Sequence, residues 1–146
     1  MMPSTKCADF IKGYEACRLK AYMPTPNDVP TIGWGSTGPD IRLGMTWTQQ
    51  QADDRFASDL ARFGAKVSDL IGAAPTKQNE FDAMTSLAYN IGTGNFASST
   101  VLRKHKAGDH DGAAAAFSLW NKQKGVVLNG LTKRRAAEAA MYRGIA

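Results

Sequence analysis

The sequence predicts an α+β fold, mostly helical, in which a small strand-containing N-terminal lobe is followed by a larger helical C-terminal lobe. Three observations point there. Between Leu19 and Leu43 the helical spacing of apolar residues disappears while Pro24, Pro26, Pro30, Gly33, Gly35, Gly38 and Pro39 punctuate the chain, the pattern of short strands and turns. From Phe56 to Ile71 apolar residues recur every three or four positions. After Pro75 the same spacing returns in shorter runs separated by Gly92, Gly108 and Gly130. The 146 residues suffice for one core, or for two small lobes sharing one, and not for two independent domains of ordinary size. A single domain over residues 1–146 is therefore expected, with strands at about 19–45, a bridging helix at about 46–72, and a helical lobe at about 73–146 that includes the N-terminal helix.

Each element has its own local signal. Ser4 or Thr5 can cap a first helix in which Cys7, Phe10, Ile11, Tyr14 and Cys17 form an apolar face. Glu15 falls at the edge of that face, just before the turn signals begin. A carboxyl group so placed can keep its proton through poor solvation while the next loop supplies a polar partner. Without other information a solvated helix residue is its ordinary reading. Thr31-Ile32-Gly33-Trp34-Gly35 is the best strand candidate, and glycines flanking Trp34 would let another chain approach the backbone closely. Thr46-Trp47-Thr48-Gln49 reads as a capping box for the strongest helix, expected from about 47 to 71, whose stripe of Phe56, Leu60, Phe63, Val67 and Leu70 belongs in a core.

Beyond Pro75 a helix places Phe81, Met84, Ala88 and Ile91 on one face and stops at Gly92. A turn over Asn90–Phe96 redirects the chain to Ser98-Ser99-Thr100, which can cap a helix closing near Gly108. Asp109 or Asp111 opens an alanine-rich helix to Trp120, residues 122–130 read as a loop, and Thr132 caps a last helix that ends at Gly144. In that helix Lys133, Arg134, Arg135, Glu138 and Arg143 suggest a mixed basic surface with helix ion pairs.

Charge and composition narrow the function classes. The net charge of +5 lies entirely in the second half: residues 1–73 carry eight basic and eight acidic side chains, residues 74–146 ten and five. Such a surface is drawn to polyanions, cell wall and anionic envelope included, or simply aids solubility. A reader of nucleic acid would interleave aromatics with the basic residues, and 103–106 and 133–135 contain none. No apolar run approaches the roughly 18 residues of a membrane span, and the first residues lack a signal-peptide core, so the expected location is the cytoplasm. On a continuous helix Cys7 and Cys17 would stand about 15 Å apart, too far for a disulfide, so free thiols are expected. His105 and His110 straddle the predicted helix end at Gly108 with no Cys pair near them, so no metal site is expected. Neither a phosphate-binding Gly loop nor a G-x-S-x-G elbow is present.

The run Ile11-Lys12-Gly13-Tyr14-Glu15-Ala16-Cys17-Arg18-Leu19-Lys20-Ala21-Tyr22, followed by Thr31-Ile32-Gly33-Trp34-Gly35, resembles the signature of phage-type lysozymes, the endolysins of glycoside hydrolase family 24. Phe81-Asp82-Ala83-Met84, Tyr89-Asn90-Ile91-Gly92-Thr93-Gly94-Asn95-Phe96, Ser99-Thr100-Val101-Leu102-Arg103-Lys104 and Gly130-Leu131 ahead of Arg134-Arg135-Ala136-Ala137-Glu138 continue the likeness over nearly the whole chain.

The resemblance implies a lysozyme-like fold with a cleft between lobes, no cofactor, bacterial peptidoglycan as partner, and retention in the host cytoplasm until release to the wall; a monomer is expected because the predicted apolar faces are all needed for one core. It implies Glu15 as general acid and Thr31 as the residue that helps place the attacking water. One departure touches the site. The family pattern has an Asp nine positions after the Glu and a Thr six beyond that; here the ninth position is Pro24 and Thr31 comes one residue late. Asp28, the only acid between Glu15 and Asp40, is the candidate second carboxylate. Carboxyl groups about 6.5–9.5 Å apart would mean inversion, and about 5–5.5 Å retention. Trp34, Asn90, Arg134 and Arg135 are candidate substrate contacts, with a core role for Trp34 and a helix ion pair for the arginines as the structural alternatives. Two other functions stay open. A lytic transglycosylase would use Glu15 alone and release anhydro-muropeptides, and a non-catalytic cationic protein would bind wall or membrane through its basic half.

Overall fold

In a computed structural model, which describes residues 1–145, the chain forms two units: Ala8–Arg62, and Met1–Cys7 together with Phe63 onward. Its elements are α1 (Thr5–Tyr14), β1 (Arg18–Tyr22), β2 (Thr31–Gly33), α2 (Gln49–Ile71), α3 (Gln78–Ile91), α4 (Thr93–Ala97), α5 (Thr100–Lys106), α6 (His110–Ala116), a 3-10 turn Phe117–Trp120, β3 (Lys122–Gln123), β4 (Val126–Val127) and α7 (Asn129–Arg143). The mostly helical α+β class is as the sequence predicts. Among the described residues no helix is long and apolar enough to cross a membrane.

In the Ala8–Arg62 unit β1 and β2 pair antiparallel, Arg18 opposite Gly33 and Tyr22 opposite Thr31, with an irregularity between. The chain then turns sharply: Ile32 and Ser36 exchange backbone hydrogen bonds of 3.0 and 2.8 Å around Trp34. Gly33 and Gly35 take φ of 66° and 89° there, values only glycine holds without strain. The expected strand through Gly35 thus ends at Gly33, and Trp34-Gly35 forms a turn. A Cβ on Gly33 would lie 3.1 Å from the Trp47 ring, so the close neighbour that this glycine admits is the chain's own indole. On the other edge of β1, residues 45–47 bond to Leu19 and Ala21. Ala21, Ile32 and Ile41 bury against Met45 and Trp47 to form this unit's core.

Residues around Thr46 are still paired with β1, Trp47 N–H donating to the Leu19 carbonyl (2.7 Å), so the helix starts later. The capping box of α2 is set two residues later than the sequence suggested: Gln51 N–H donates to Thr48 Oγ1 (3.1 Å) and Thr48 N–H to Gln51 Oε1 (2.8 Å). From α2, Arg55 donates to Asp59 (2.9 Å), Asp40 (2.7 Å) and the Thr37 carbonyl (2.9 Å), while Ser36 Oγ donates to Asp59 (2.7 Å). These bonds fasten the loop after the Trp34 turn onto α2.

The other unit is a set of helices whose core includes Phe81, Met84, Leu87, Phe96, Val101, Phe117 and Met141. Ser99 caps α5 through Leu102 N–H (3.2 Å), and Asp109 caps α6 through Gly112 N–H (2.9 Å). Part of the predicted Asn90–Phe96 turn is the short helix α4. The predicted 122–130 loop holds a two-residue hairpin, β3 with β4. Helix α7 begins at Asn129, three residues before the Thr132 expected to cap it, and closes at Gly144 in a left-handed conformation.

Candidate active site

Glu15 stands immediately past the last residue of α1, where its N–H donates to the Ile11 carbonyl (2.9 Å) and completes the final helical turn; its side chain is half-buried. The apolar spacing carries the predicted helix on to Cys17, with Glu15 near its end. It stops sooner because the chain enters β1 at Arg18.

Thr31 opens β2 and is 5% exposed. Its hydroxyl donates to the Val29 carbonyl at 3.0 Å. Asp28 lies on the exposed turn before it: its Oδ1 accepts from Val29 N–H (2.8 Å), and Oδ2 stands 3.5 Å from the Thr25 hydroxyl. Asp28 and Thr31 therefore hold the two polar groups of Val29 from either side, which sets the path of the loop rebuilt around Pro24 and Pro30. Tyr22 is the strand partner of Thr31, and the Arg18 guanidinium stacks 4.4 Å from the Tyr22 ring centroid. This pair is not legible in the sequence, because the strand is irregular between Arg18 and Tyr22 and its two-residue alternation does not fix their faces.

Trp34 is half-buried. Its indole N–H donates to Asp53 (2.8 Å), its ring meets Phe56 edge-on at 6.3 Å, and Lys12 Nζ lies 5.1 Å from its centroid. The indole bond, with a second from Gln49, holds the Asp53 carboxyl below the usual carboxylate range.

In the helical unit Asn90 is exposed at the end of α3, and its Oδ1 accepts from Arg135 Nη2 (2.9 Å). Arg134 and Arg135 are only 4% and 1% exposed. Both turn inward to Glu138, which is fully buried: Arg135 Nε stands 2.8 Å from its Oε1, Arg134 Nε 3.4 Å from its Oε2, and Ser86 Oγ donates to Oε2 at 2.5 Å. The basic surface expected of the last helix is thus an interior ion cluster at these positions. The i, i+3 and i, i+4 spacing was legible, but spacing carries no information on which side of a helix is covered. Burial pushes the Glu138 carboxyl up, while Arg135, Arg134 and Ser86 pull against it.

A second polar cluster was missed altogether. Glu80, His105 and His110 bring one donor atom each to within 4.8 Å of one another. His110 Nδ1 lies 2.8 Å from Glu80 Oε2, and the Tyr142 hydroxyl lies 2.6 Å from His105 Nδ1 and 3.1 Å from His110 Nδ1. The sequence offered only the two histidines, and the α5–α6 turn at Gly108 brings their rings to 5.1 Å.

A profile of the phage lysozyme family matches residues 12–138, a span that holds Glu15, Asp28 and Thr31. The endolysin of Acyrthosiphon pisum secondary endosymbiont phage 1 is 40% identical over 143 residues, which cover 95% of this chain and 96% of that one. The endolysin of Bacillus phage PZA is 40% identical over 135 residues, 92% of this chain and 52% of the relative, so the chain spans about half the length of that protein. Among solved structures, the endolysin from Escherichia coli O157:H7 phage FAHEc1 superposes with a TM-score of 0.84 at 40% identity, covering 97% of this chain and 93% of its own.

Proposed function

This chain belongs to the phage lysozyme family, and from that premise we propose that it is an endolysin that hydrolyses the β-1,4 bond between N-acetylmuramic acid and N-acetylglucosamine in bacterial peptidoglycan. The observation that carries the reading is the family match over residues 12–138, which takes in Glu15 and the strand opened by Thr31. Glu15 gives its proton to the leaving glycosidic oxygen as the bond breaks. The sugar left behind develops oxocarbenium character, and a water attacks it, its proton passing to a carboxylate of the site. Because the Thr31 hydroxyl spends its hydrogen on Val29, it meets a water with its lone pairs, accepting a hydrogen bond that turns the water oxygen toward the reacting carbon. Asp28 supplies the second carboxylate, which favours the developing positive charge.

Trp34 and Asn90 contact the glycan. Arg135 acts through Asn90 by holding its amide, and Arg134 supports Arg135 by sharing Glu138. The enzyme works as a monomer, needs no cofactor, and stays in the host cytoplasm until it is released to the wall.

One observation favours a second reading. Pro24 occupies the place of the family's Asp, and both carboxylate oxygens of Asp28 face its own turn. With Glu15 alone as acid and then base, the muramic acid 6-hydroxyl would be the nucleophile and the enzyme a lytic transglycosylase. Masses of fragments released from purified peptidoglycan separate the two: reducing ends support hydrolysis, and anhydro ends overturn it.

A further inference from the structure

We propose that Glu80, His105 and His110 form a binding site for a divalent transition metal of the zinc type, fastening α3, α5 and α6 of the helical unit. Two imidazoles and one carboxylate are a donor set that suits zinc. The polar network already orients two of the three ligands, His105 and Glu80, as a metal site requires.

The protons can be followed around it. Thr76 Oγ1 donates to the Ala74 carbonyl (2.9 Å), so it accepts from His105 Nε2–H at 2.8 Å. That leaves His105 Nδ1 as a lone pair aimed into the cluster, where it now accepts from the Tyr142 hydroxyl. Metal-bound histidines are oriented by such a bond from the other ring nitrogen. Glu80 is fixed likewise: Oε1 accepts from Lys77 N–H (2.8 Å), and Oε2 is left facing His110.

Zinc bound at His110 Nδ1 takes the place of the hydrogen on that nitrogen, and the ring keeps its proton on Nε2. The zinc–nitrogen and zinc–oxygen bonds would be about 2.0–2.2 Å. Donor atoms within 4.8 Å of one another reach that geometry by small side-chain rotations. Access is from the side of His110, whose side chain is 42% exposed and lines a cavity of about 300 Å³ with Glu80, Asp111 and Tyr142. A fourth ligand, water or the Tyr142 oxygen, can come from there.

The test is titration of the full chain with Zn²⁺ and, separately, Co²⁺. The site predicts one equivalent bound, a saturable rise of several degrees in Tm, and a visible Co²⁺ spectrum of a four-coordinate nitrogen–oxygen site. His110→Ala, the least buried ligand to remove, should abolish all three, and Cys17→Ser should change none. Absence of binding to the wild type overturns the proposal. So does an unchanged response in a folded His110→Ala protein, or a response lost with Cys17. If His110→Ala fails to fold, the wild-type stoichiometry and Co²⁺ spectrum decide alone.

Discussion

Arg135 Nε lies 2.8 Å from Glu138 Oε1 with both side chains closed off from solvent, so the last helix is anchored by an interior charge pair. Removing one partner of such a pair leaves the other charge buried alone, which costs about 3–5 kcal/mol. Glu138→Ala is therefore expected to lower the unfolding free energy by about that much in a denaturant titration, and Glu138→Gln, which keeps the shape and the Ser86 bond, by less. Equal stability of Glu138→Ala and wild type would show that the cluster contributes nothing net.

Arg55 sits between two carboxylates of unlike setting, Asp40 exposed and Asp59 nearly buried. Its hydrogen bond holds the Asp40 carboxyl below its ordinary range. A folded value below the unfolded one stabilises the protein above the unfolded pKa, and this contribution disappears as pH falls through the folded value. Arg55→Gln should thus be destabilising at pH 7, by about 1–3 kcal/mol through the bond to Asp59. Its gap from wild type should narrow as pH drops below about 4. A gap constant with pH would contradict the assignment.

The Cys7 thiol, buried and near the charges of Asp82 and Glu138, is pushed up to about 12, with burial the largest cause. At pH 8 only roughly one Cys7 in 10,000 is then a thiolate, the reactive form. Native protein treated with a thiol reagent should take one label, at half-buried Cys17, and a second only after unfolding. Two labels at comparable rates by mass spectrometry would contradict the burial of Cys7.

What the sequence revealed and what it hid divide along physical lines. Apolar spacing set the long helix to its end at Ile71, and of the cap candidates Ser98–Thr100 and Asp109 or Asp111 it is Ser99 and Asp109 that cap, because these are local effects. The capping box of α2 slipped by two residues because the chain around Thr46 is still paired with β1, distant in sequence. Trp34 looked like a strand residue because the positive φ on either side of it is invisible until the chain folds. Glu15 and Thr31 were named through motif resemblance; local pattern alone made Glu15 an ordinary helix residue. The inward turn of Arg134 and Arg135, and the meeting of Glu80 with two histidines, depend on tertiary packing, which no spacing rule reports.

The central claim is that Glu15 performs the chemistry, and the most direct measurement compares wild type with Glu15→Gln on purified peptidoglycan, following turbidity and fragment masses. Glutamine keeps the size of the side chain and removes the transferable proton, so the account predicts a loss of at least 100-fold, about the contribution of a positioned general acid, with unchanged Tm. Asp28→Asn should fall as well, with the wild type leaving reducing ends. A Glu15→Gln protein that clears peptidoglycan at the wild-type rate would contradict the account.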